Sequence, residues 1–134
     1  MGKLRHLAIT VPDMEKAAAF YEKIFDMKRV RGSSRSIHLT DGVMNLAILK
    51  FPTDEAAGDE RGKDFHGIHH FGFVVDDIPE HYKKIEDAGG RYHMKLPYAP
   101  AEATEVKFRD PNGVVFDIVD DDYATKFWGA NPKV

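Results

Sequence analysis

The chain has 134 residues, a formal net charge of −3 and no cysteine. This length suits one domain with a single sizeable core. The lysines and arginines are scattered rather than clustered, which argues against nucleic-acid binding, and no apolar run approaches the ~20 residues that span a bilayer. The absence of cysteine excludes disulfides and thiolate chemistry and suits a reducing compartment. Because no signal-peptide pattern precedes the first strand, we expect a cytoplasmic protein that binds neither nucleic acid nor membrane.

The first half of the chain predicts the order β-α-β-β-β. Leu4 to Val11 alternates like a strand, with Ile9 on a core face and His6 on the opposite face. Asp13 has the position of an N-cap, and apolar residues then recur at helical spacing. A weakly indicated strand follows, and the Asp41-Gly42 turn joins two more strands. Three aromatic residues of the helix are expected in the core: Phe20, Tyr21 and Phe25.

The second half repeats this order after a linker rich in Asp, Glu, Gly and Lys. His70 lies near the start of another alternating strand, and Asp77 to Glu80 has the spacing of a capping box. We therefore expect an α+β fold of two βαβββ modules that form one curved, cup-shaped mixed sheet with helices on its convex side. The expected divisions of this single domain are module one at about 1–52, a linker at about 53–67, module two at about 68–122 and a tail at 123–134.

Two motifs occur once in each half. His6-Leu-Ala-Ile-Thr-Val-Pro-Asp13 is matched by His70-Phe-Gly-Phe-Val-Val-Asp-Asp77, with the same spacing from His to Asp. Val43-Met-Asn45-Leu46 is matched by Val115-Phe-Asp117-Ile118. Repeated halves bring equivalent residues together around a pseudo-twofold axis. Two imidazoles and a carboxylate at one point predict a metal site.

These motifs, together with Ala18-Ala-Phe-Tyr21 and Phe108-Arg-Asp-Pro-Asn-Gly113, resemble the vicinal oxygen chelate superfamily. That superfamily includes glyoxalase I, extradiol dioxygenases, bleomycin resistance proteins and methylmalonyl-CoA epimerase. The resemblance covers the chain up to about Asp120. It implies one divalent metal ion (Fe, Mn, Zn, Ni or Co) inside the cup and a small-molecule substrate.

The ligand positions of the superfamily match His6, Asn45, His70 and Asp117. The last ligand is usually Glu, so Asp117 is one methylene shorter than usual. An Asn amide oxygen is a weak ligand for a transition metal. The resemblance therefore implies that His6, His70 and Asp117 hold the ion, and that Asn45 lines the substrate pocket, with ligation by Asn45 as the alternative.

Strand parity adds further candidates. With its neighbours in the core, His38 would face the cup as an acid, a base or a substrate anchor, unless its role is structural. Lys107 and Arg109 would face the cup with Glu105 and hold a carboxylate or phosphate, or else lie on a solvated strand edge. His69 precedes His70 on the same strand and therefore points to the opposite face, which indicates a packing or surface residue. The resulting assignment is catalytic roles for His38 and Glu105 and substrate-binding roles for Asn45, Tyr98, Lys107 and Arg109.

Three functions remain open. The first is a metal-dependent isomerase or lyase of the glyoxalase or epimerase kind that chelates neighbouring oxygens of a small carbonyl or hydroxy substrate. Asn45 cannot serve as its base, so Glu105 or His38 would do so. The alternatives are an Fe(II) extradiol-type dioxygenase and a non-catalytic drug- or metabolite-binding protein of the bleomycin-resistance kind.

A homodimer is expected because edge strands need cover, with the Trp128 tail at the interface or closing the cup.

Overall fold

An open sheet of eight strands forms the body of the protein, in the order β2-β3-β4-β1-β5-β8-β7-β6. The computed structural model describes residues 1–58, 61–95 and 105–134. The predicted α+β fold, with a curved mixed sheet, is confirmed. The strands are β1 Lys3–Thr10, β2 Lys28–Gly32, β3 Ser36–Thr40, β4 Asn45–Leu49, β5 Gly67–Val74, β6 Arg91–Met94, β7 Val106–Arg109 and β8 Val115–Val119. The helices are α1 Met14–Phe25, α2 Asp54–Ala57, α3 Ile78–Asp87 and α4 Asp121–Tyr123, followed by a π-helix, Ala124–Trp128.

The two halves meet in the middle of the sheet, where β1 and β5 pair antiparallel. Each of these strands also pairs in parallel with the last strand of its own half, β4 or β8. The short helix α2 lies in the stretch expected to be a linker. The division into modules at about 53–67 stays a prediction.

The two halves differ in the register of these parallel pairs. His6 lies opposite Asn45 in the first half, whereas Asp117 lies opposite Gly72 and not opposite His70 in the second. A shift of two residues keeps every side chain on its face of the sheet. Gly72 is also the partner of His6 across β1 and β5. It therefore lies between His6 and Asp117 on three neighbouring strands.

Each long helix packs on the strands of its own half. Asp13 caps α1 by accepting a hydrogen bond from the Lys16 backbone N–H, and Asp77 caps α3 in the same way. Ala18 of α1 belongs to a buried cluster with Ile37, Leu39 and Ile48. The corresponding cluster beneath α3 contains Val75, Phe108 and Ile118.

The expectation that Phe20 and Phe25 belong to the core is wrong, because their side chains are 55% and 63% exposed. Tyr21 does pack against the cluster around Ala18. Phe20 lies two residues from Ala18, which is about 200° around a helix, so it faces away from the sheet. Phe25 lies at the last position of the helix. The apolar residues of α1 thus cover a wider arc than the face that the sheet can bury.

The face of β1 that carries His6 is buried more deeply than the face that carries Ile9. His6, Ala8 and Thr10 are at most 3% exposed, while Ile9 is half-buried against the α1 cluster. The C-terminal segment covers His6 by stacking Trp128 on it, and Thr10 donates to the Phe65 carbonyl oxygen at 2.6 Å. No helix in the described part of the chain is long and apolar enough to cross a membrane.

Candidate metal centre

Three buried side chains from β1, β5 and β8 point at one another. His6 Nε2 lies 3.3 Å from His70 Nε2 and 3.4 Å from Asp117 Oδ2. His70 Nε2 lies 3.1 Å from the same Asp117 oxygen. All three residues are at most 4% exposed. A single chain thus brings together the three residues that sequence analysis predicted as ligands.

The hydrogen-bond partners of Asn45 determine which nitrogen of His6 carries its hydrogen. The Asn45 Nδ2 group donates to the Trp128 carbonyl oxygen at 2.8 Å, which fixes the orientation of the amide. Its Oδ1 therefore faces His6 Nδ1, at 2.5 Å. Because an amide oxygen only accepts, His6 Nδ1 must donate. The lone pair of neutral His6 then lies on Nε2 and points into the three-residue cluster.

A relay through His69 has the same effect on His70. His69 Nε2 lies 2.5 Å from the Ala57 carbonyl oxygen, so it carries the hydrogen of a neutral His69. The other nitrogen of His69 then accepts from His70 Nδ1, at 2.8 Å. His70 is left with its lone pair on Nε2, directed at Asp117 and His6. His69 is therefore more than a packing residue.

This arrangement fits a divalent cation. Asp117 Oδ2 is fully buried, and no hydrogen-bond donor reaches it among the described residues. A buried carboxylate oxygen without a partner is costly, and two imidazole lone pairs face it here. Two imidazoles and one carboxylate are a donor set of first-row transition metals. Each imidazole is also held through its other nitrogen, as metal-binding histidines commonly are.

Lys107 places an ammonium group beside the same carboxylate. Its Nζ lies 2.6 Å from Asp117 Oδ1, 3.3 Å from His70 Nε2 and 3.4 Å from Glu105 Oε1. Burial alone would lower the pKa of Lys107, but the two carboxylates outweigh it and raise that pKa. Burial likewise opposes ionisation of Asp117, yet the Lys107 ammonium holds the pKa of this carboxyl below its usual range. Asp117 thus binds Lys107 with one oxygen and offers the other to the cluster.

Gly72 makes the close approach of these side chains possible. A Cβ atom at this position would lie 2.9 Å from Trp128 Cη2, 3.1 Å from His6 Cδ2 and 3.2 Å from Asp117 Cβ. The Trp128 indole stacks on the His6 ring, with centroids 4.3 Å apart and planes 9° from parallel. A glycine within a strand is a sequence signal for such close packing.

The cluster opens into a cavity of about 360 Å³. His6 and His70 contribute to its wall, together with aromatic and cationic side chains. Tyr123 donates its hydroxyl hydrogen to Glu105 Oε2 at 2.8 Å. The aromatic lining residues are Phe51, Tyr123, Phe127 and Trp128, and the cationic ones are Arg31, Arg35 and Lys107.

Three of the other predicted site residues line this cavity: His38, Glu105 and Lys107. The Nδ1 atom of His38 lies 3.1 Å from Asn45 Nδ2, so it accepts and leaves the hydrogen on Nε2. Burial, then the nearby His6 and Arg31, lower the pKa of His38 to about 3. His38 is therefore neutral at physiological pH.

Two predicted residues lie elsewhere, and one lies outside the described residues. Asn45 is 1% exposed and positions His6 instead of lining the cavity. Arg109 donates to the Gly113 carbonyl oxygen at 2.8 Å and to His93 Nδ1 at 3.3 Å, towards the turn before β8. It shares the face of Lys107, but sits two residues further along β7, beyond the cavity wall. Tyr98 belongs to the undescribed stretch 96–104.

Sequence reasoning missed several residues at this site, among them Arg31, His69 and Tyr123. Tyr123 lies in the tail, where no repeat equivalence exists. His69 was assigned by strand parity alone, although a histidine beside a candidate ligand could have suggested a supporting role. Arg31 reaches the cavity through an irregularity of β2, which no sequence pattern showed.

Comparison with known proteins agrees with this architecture. The sequence profile of the Glyoxalase/Bleomycin resistance protein/Dioxygenase superfamily matches residues 3–118. The chain belongs to this superfamily. Its members bind a divalent metal, and His6, His70 and Asp117 form a possible site for one.

Individual relatives are distant. The chain is 28% identical over 116 residues to the probable trivalent organoarsenical cleaving enzyme of Bacillus subtilis strain 168, covering 83% of this chain and 75% of that protein. It is 25% identical over 118 residues to metallothiol transferase FosB of Bacillus licheniformis, covering 86% and 73%. A solved structure of methylmalonyl-CoA epimerase in complex with methylmalonyl-CoA and NH4+ has a TM-score of 0.70 at 20% identity, covering 90% of this chain and 94% of that one. This last similarity shows the shared fold.

Proposed function

We propose that this protein is a divalent-metal-dependent enzyme of the glyoxalase or epimerase kind, an isomerase or lyase. Its substrate would be a small carbonyl or hydroxy compound that binds through two neighbouring oxygens. The observation that carries the proposal is the convergence of three lone pairs, from His6, His70 and Asp117, at the wall of an open cavity. Three protein ligands leave coordination positions for substrate oxygens.

His6, His70 and Asp117 would hold the ion. When bound, a divalent ion supplies Lewis acidity, which polarises the substrate oxygens and acidifies the neighbouring C–H bond. Lys107 keeps Asp117 ionised and oriented, and Asn45 and His69 keep the imidazole hydrogens away from the site. The protein thus presents the ligand atoms of His6, His70 and Asp117 already oriented, so these side chains need to move little when an ion binds.

Glu105 and His38 approach the cavity from opposite halves of the sheet. The Glu105 carboxylate accepts from Tyr123, is held near Lys107 and is the candidate to take a substrate proton. Burial and then Glu105 raise the pKa of Tyr123, so its hydroxyl stays protonated as a donor. Neutral His38 presents an N–H on the other side. A carboxylate that can take a proton on one side and a neutral imidazole that donates a hydrogen bond on the other favour a reaction that removes a proton from the substrate and returns it.

Two alternatives have specific support. The set of two histidines and one carboxylate with open positions also suits a non-haem Fe(II) dioxygenase. The ion pair between Lys107 and Asp117 favours a metal-free binding protein, because the ammonium already neutralises the carboxylate. The relatives named above favour metal-dependent chemistry over simple binding.

Metal analysis of protein purified without chelator tests the proposal. We expect about one ion per chain in wild type and in the surface control Asp122→Asn, and none in Asp117→Asn after dialysis. Zinc, nickel, cobalt or manganese supports isomerase or lyase chemistry, whereas iron with oxygen consumption supports a dioxygenase. Wild type that binds none of these ions, or an Asp117→Asn variant that keeps its ion, contradicts the proposal.

We also propose a homodimer. Ile24 and Phe25 at the end of α1 are 56% and 63% exposed, and apolar groups of this size favour burial against a partner. Within the described ranges, no further strand pairs with the outer sides of the edge strands β2 and β6. Light scattering at micromolar concentration is expected to give twice the chain mass, and the mass of one chain would contradict the dimer.

A further inference from the structure

Arg31 faces the cavity because β2 contains a bulge. In a regular strand Arg29 and Arg31 would share a face. Here Arg29 lies opposite Leu39 and Arg31 lies opposite His38, with a register shift between the two pairs. Leu39 belongs to the core beneath α1, whereas His38 lines the cavity. Since directly opposite residues share a face, the bulge turns Arg31 to the cavity side, as bulges near active sites often redirect a side chain.

The two arginines have different partners. Arg29 binds Glu15 at 3.0 Å and Glu22 at 2.8 Å on the surface of α1. Across the described ranges, Arg31 has no carboxylate partner. Its guanidinium carbon lies 5.1 Å from the centroid of the Phe127 ring, which also lines the cavity. A guanidinium held by an aromatic face keeps its N–H groups available for an oxyanion.

The charges in the cavity wall point to the same kind of ligand. Lys107 is the partner of both nearby carboxylates, Glu105 and Asp117. No further carboxylate among the described lining residues balances the charge of Arg31. A divalent ion at His6 would add more positive charge. An anionic ligand would therefore be favoured over a neutral one of the same shape.

We propose that Arg31 determines specificity by binding an oxyanion of the substrate, a carboxylate, phosphate or phosphonate, while the apolar part of the substrate lies against Phe127 and Trp128. This inference rests on the proposed function in one respect, that the substrate occupies this cavity. Planar guanidinium groups bind such oxyanions through two parallel hydrogen bonds. The bulge assigns this role to Arg31, because it turns Arg31 to the cavity side of the sheet and leaves Arg29 on the side of α1.

Binding of phenylphosphonate, with benzyl alcohol as the neutral comparison, tests the proposal. Calorimetric titrations would use wild type, Arg31→Gln and the matched control Arg29→Gln, each with zinc and after chelator treatment. Wild type and Arg29→Gln are expected to prefer phenylphosphonate. Arg31→Gln is expected to lose roughly tenfold or more in affinity for it and little for benzyl alcohol. Arg31→Lys keeps the charge but loses the planar guanidinium, so its affinity for phenylphosphonate is expected to lie between those of wild type and Arg31→Gln. It replaces Arg31→Gln in the test if that variant fails to fold.

The outcomes separate this proposal from the metal proposal. Equal phenylphosphonate affinity in wild type and in the Arg31 variants overturns the role of Arg31, as does a wild type with no preference over benzyl alcohol. Metal content is measured on the same samples and is expected to be unchanged by Arg31→Gln. A wild type that takes up no ion when zinc is supplied, but whose phenylphosphonate binding still depends on Arg31, contradicts the metal proposal and supports this one.

Discussion

The Nδ1 atoms of His69 and His70 lie 2.8 Å apart, and the hydrogen between them belongs to His70. In the first half of the chain the corresponding support for His6 comes from Asn45. The two halves use different residues because the second is shifted by two residues in its parallel pair. Asp117, the counterpart of Asn45 in the repeat, therefore lies opposite Gly72 and not opposite His70, so it does not hold His70 Nδ1 as Asn45 holds His6 Nδ1.

Replacing His69 is expected to weaken metal binding without removing a ligand. His69→Ala leaves the His70 hydrogen free to move to Nε2, so we expect affinity to fall about 10- to 100-fold. Competition with a chromogenic chelator measures this affinity. The exposed His66→Ala is the control, and His69→Gln is expected to recover part of the loss because its amide oxygen accepts. Unchanged affinity in His69→Ala would show that the relay has no role.

Lys107 is expected to compete with the metal for Asp117. Without metal, Lys107→Met leaves a buried carboxylate unpaired, so the variant should unfold at a lower temperature than wild type. With saturating zinc the ion takes over the neutralising role, and the gain in melting temperature should exceed that of wild type. Thermal unfolding with and without zinc gives both values. A smaller gain in Lys107→Met would mean that the ammonium assists metal binding.

Gly72 is expected to tolerate no side chain. In Gly72→Ala the new methyl would press on Trp128, His6 and Asp117, at a cost of roughly 1–3 kcal/mol in the free energy of unfolding. The control is Gly2→Ala, whose Cβ would meet its nearest neighbour at an ordinary 3.6 Å. Urea unfolding followed by the fluorescence of Trp128, the single tryptophan, measures both variants. Equal stability of the two would contradict the close packing described above.

Acid is expected to destabilise the metal-free protein well above the pH at which its carboxylates titrate. The pKa of His38 and that of His70 fall from 6.5 to about 3, mainly because burial disfavours the charged ring. Unfolded chains therefore bind more protons between these values, so stability is full above pH 6.5 and is lost as pH falls towards 3. Within this window each histidine lowers the free energy of unfolding by roughly 1 kcal/mol for every unit by which the pH falls. His38→Gln should flatten the dependence of unfolding on pH, and the exposed control His66→Gln should not.

The fold and the three candidate ligands could be predicted from the amino-acid sequence alone. Alternation, capping residues and the repeated His motif are local properties, and they can be read without knowing which strands pair. The repeat also predicted that His6 and His70 lie on equivalent strands of one sheet, related by a pseudo-twofold axis. Their role as metal ligands with Asp117 stays a prediction.

The hydrogen bonds that support this site and the cavity that it faces are visible only in the folded chain. The two-residue register shift gave His70 a different support from His6, and a bulge turned Arg31 into the cavity. Register and bulges are set by pairing with distant strands, so they leave no periodic trace in the chain. The same holds for Trp128, which reaches His6 from a tail more than a hundred residues away in sequence. Contacts of this kind arise from packing of the whole chain and not from the pattern of any one segment.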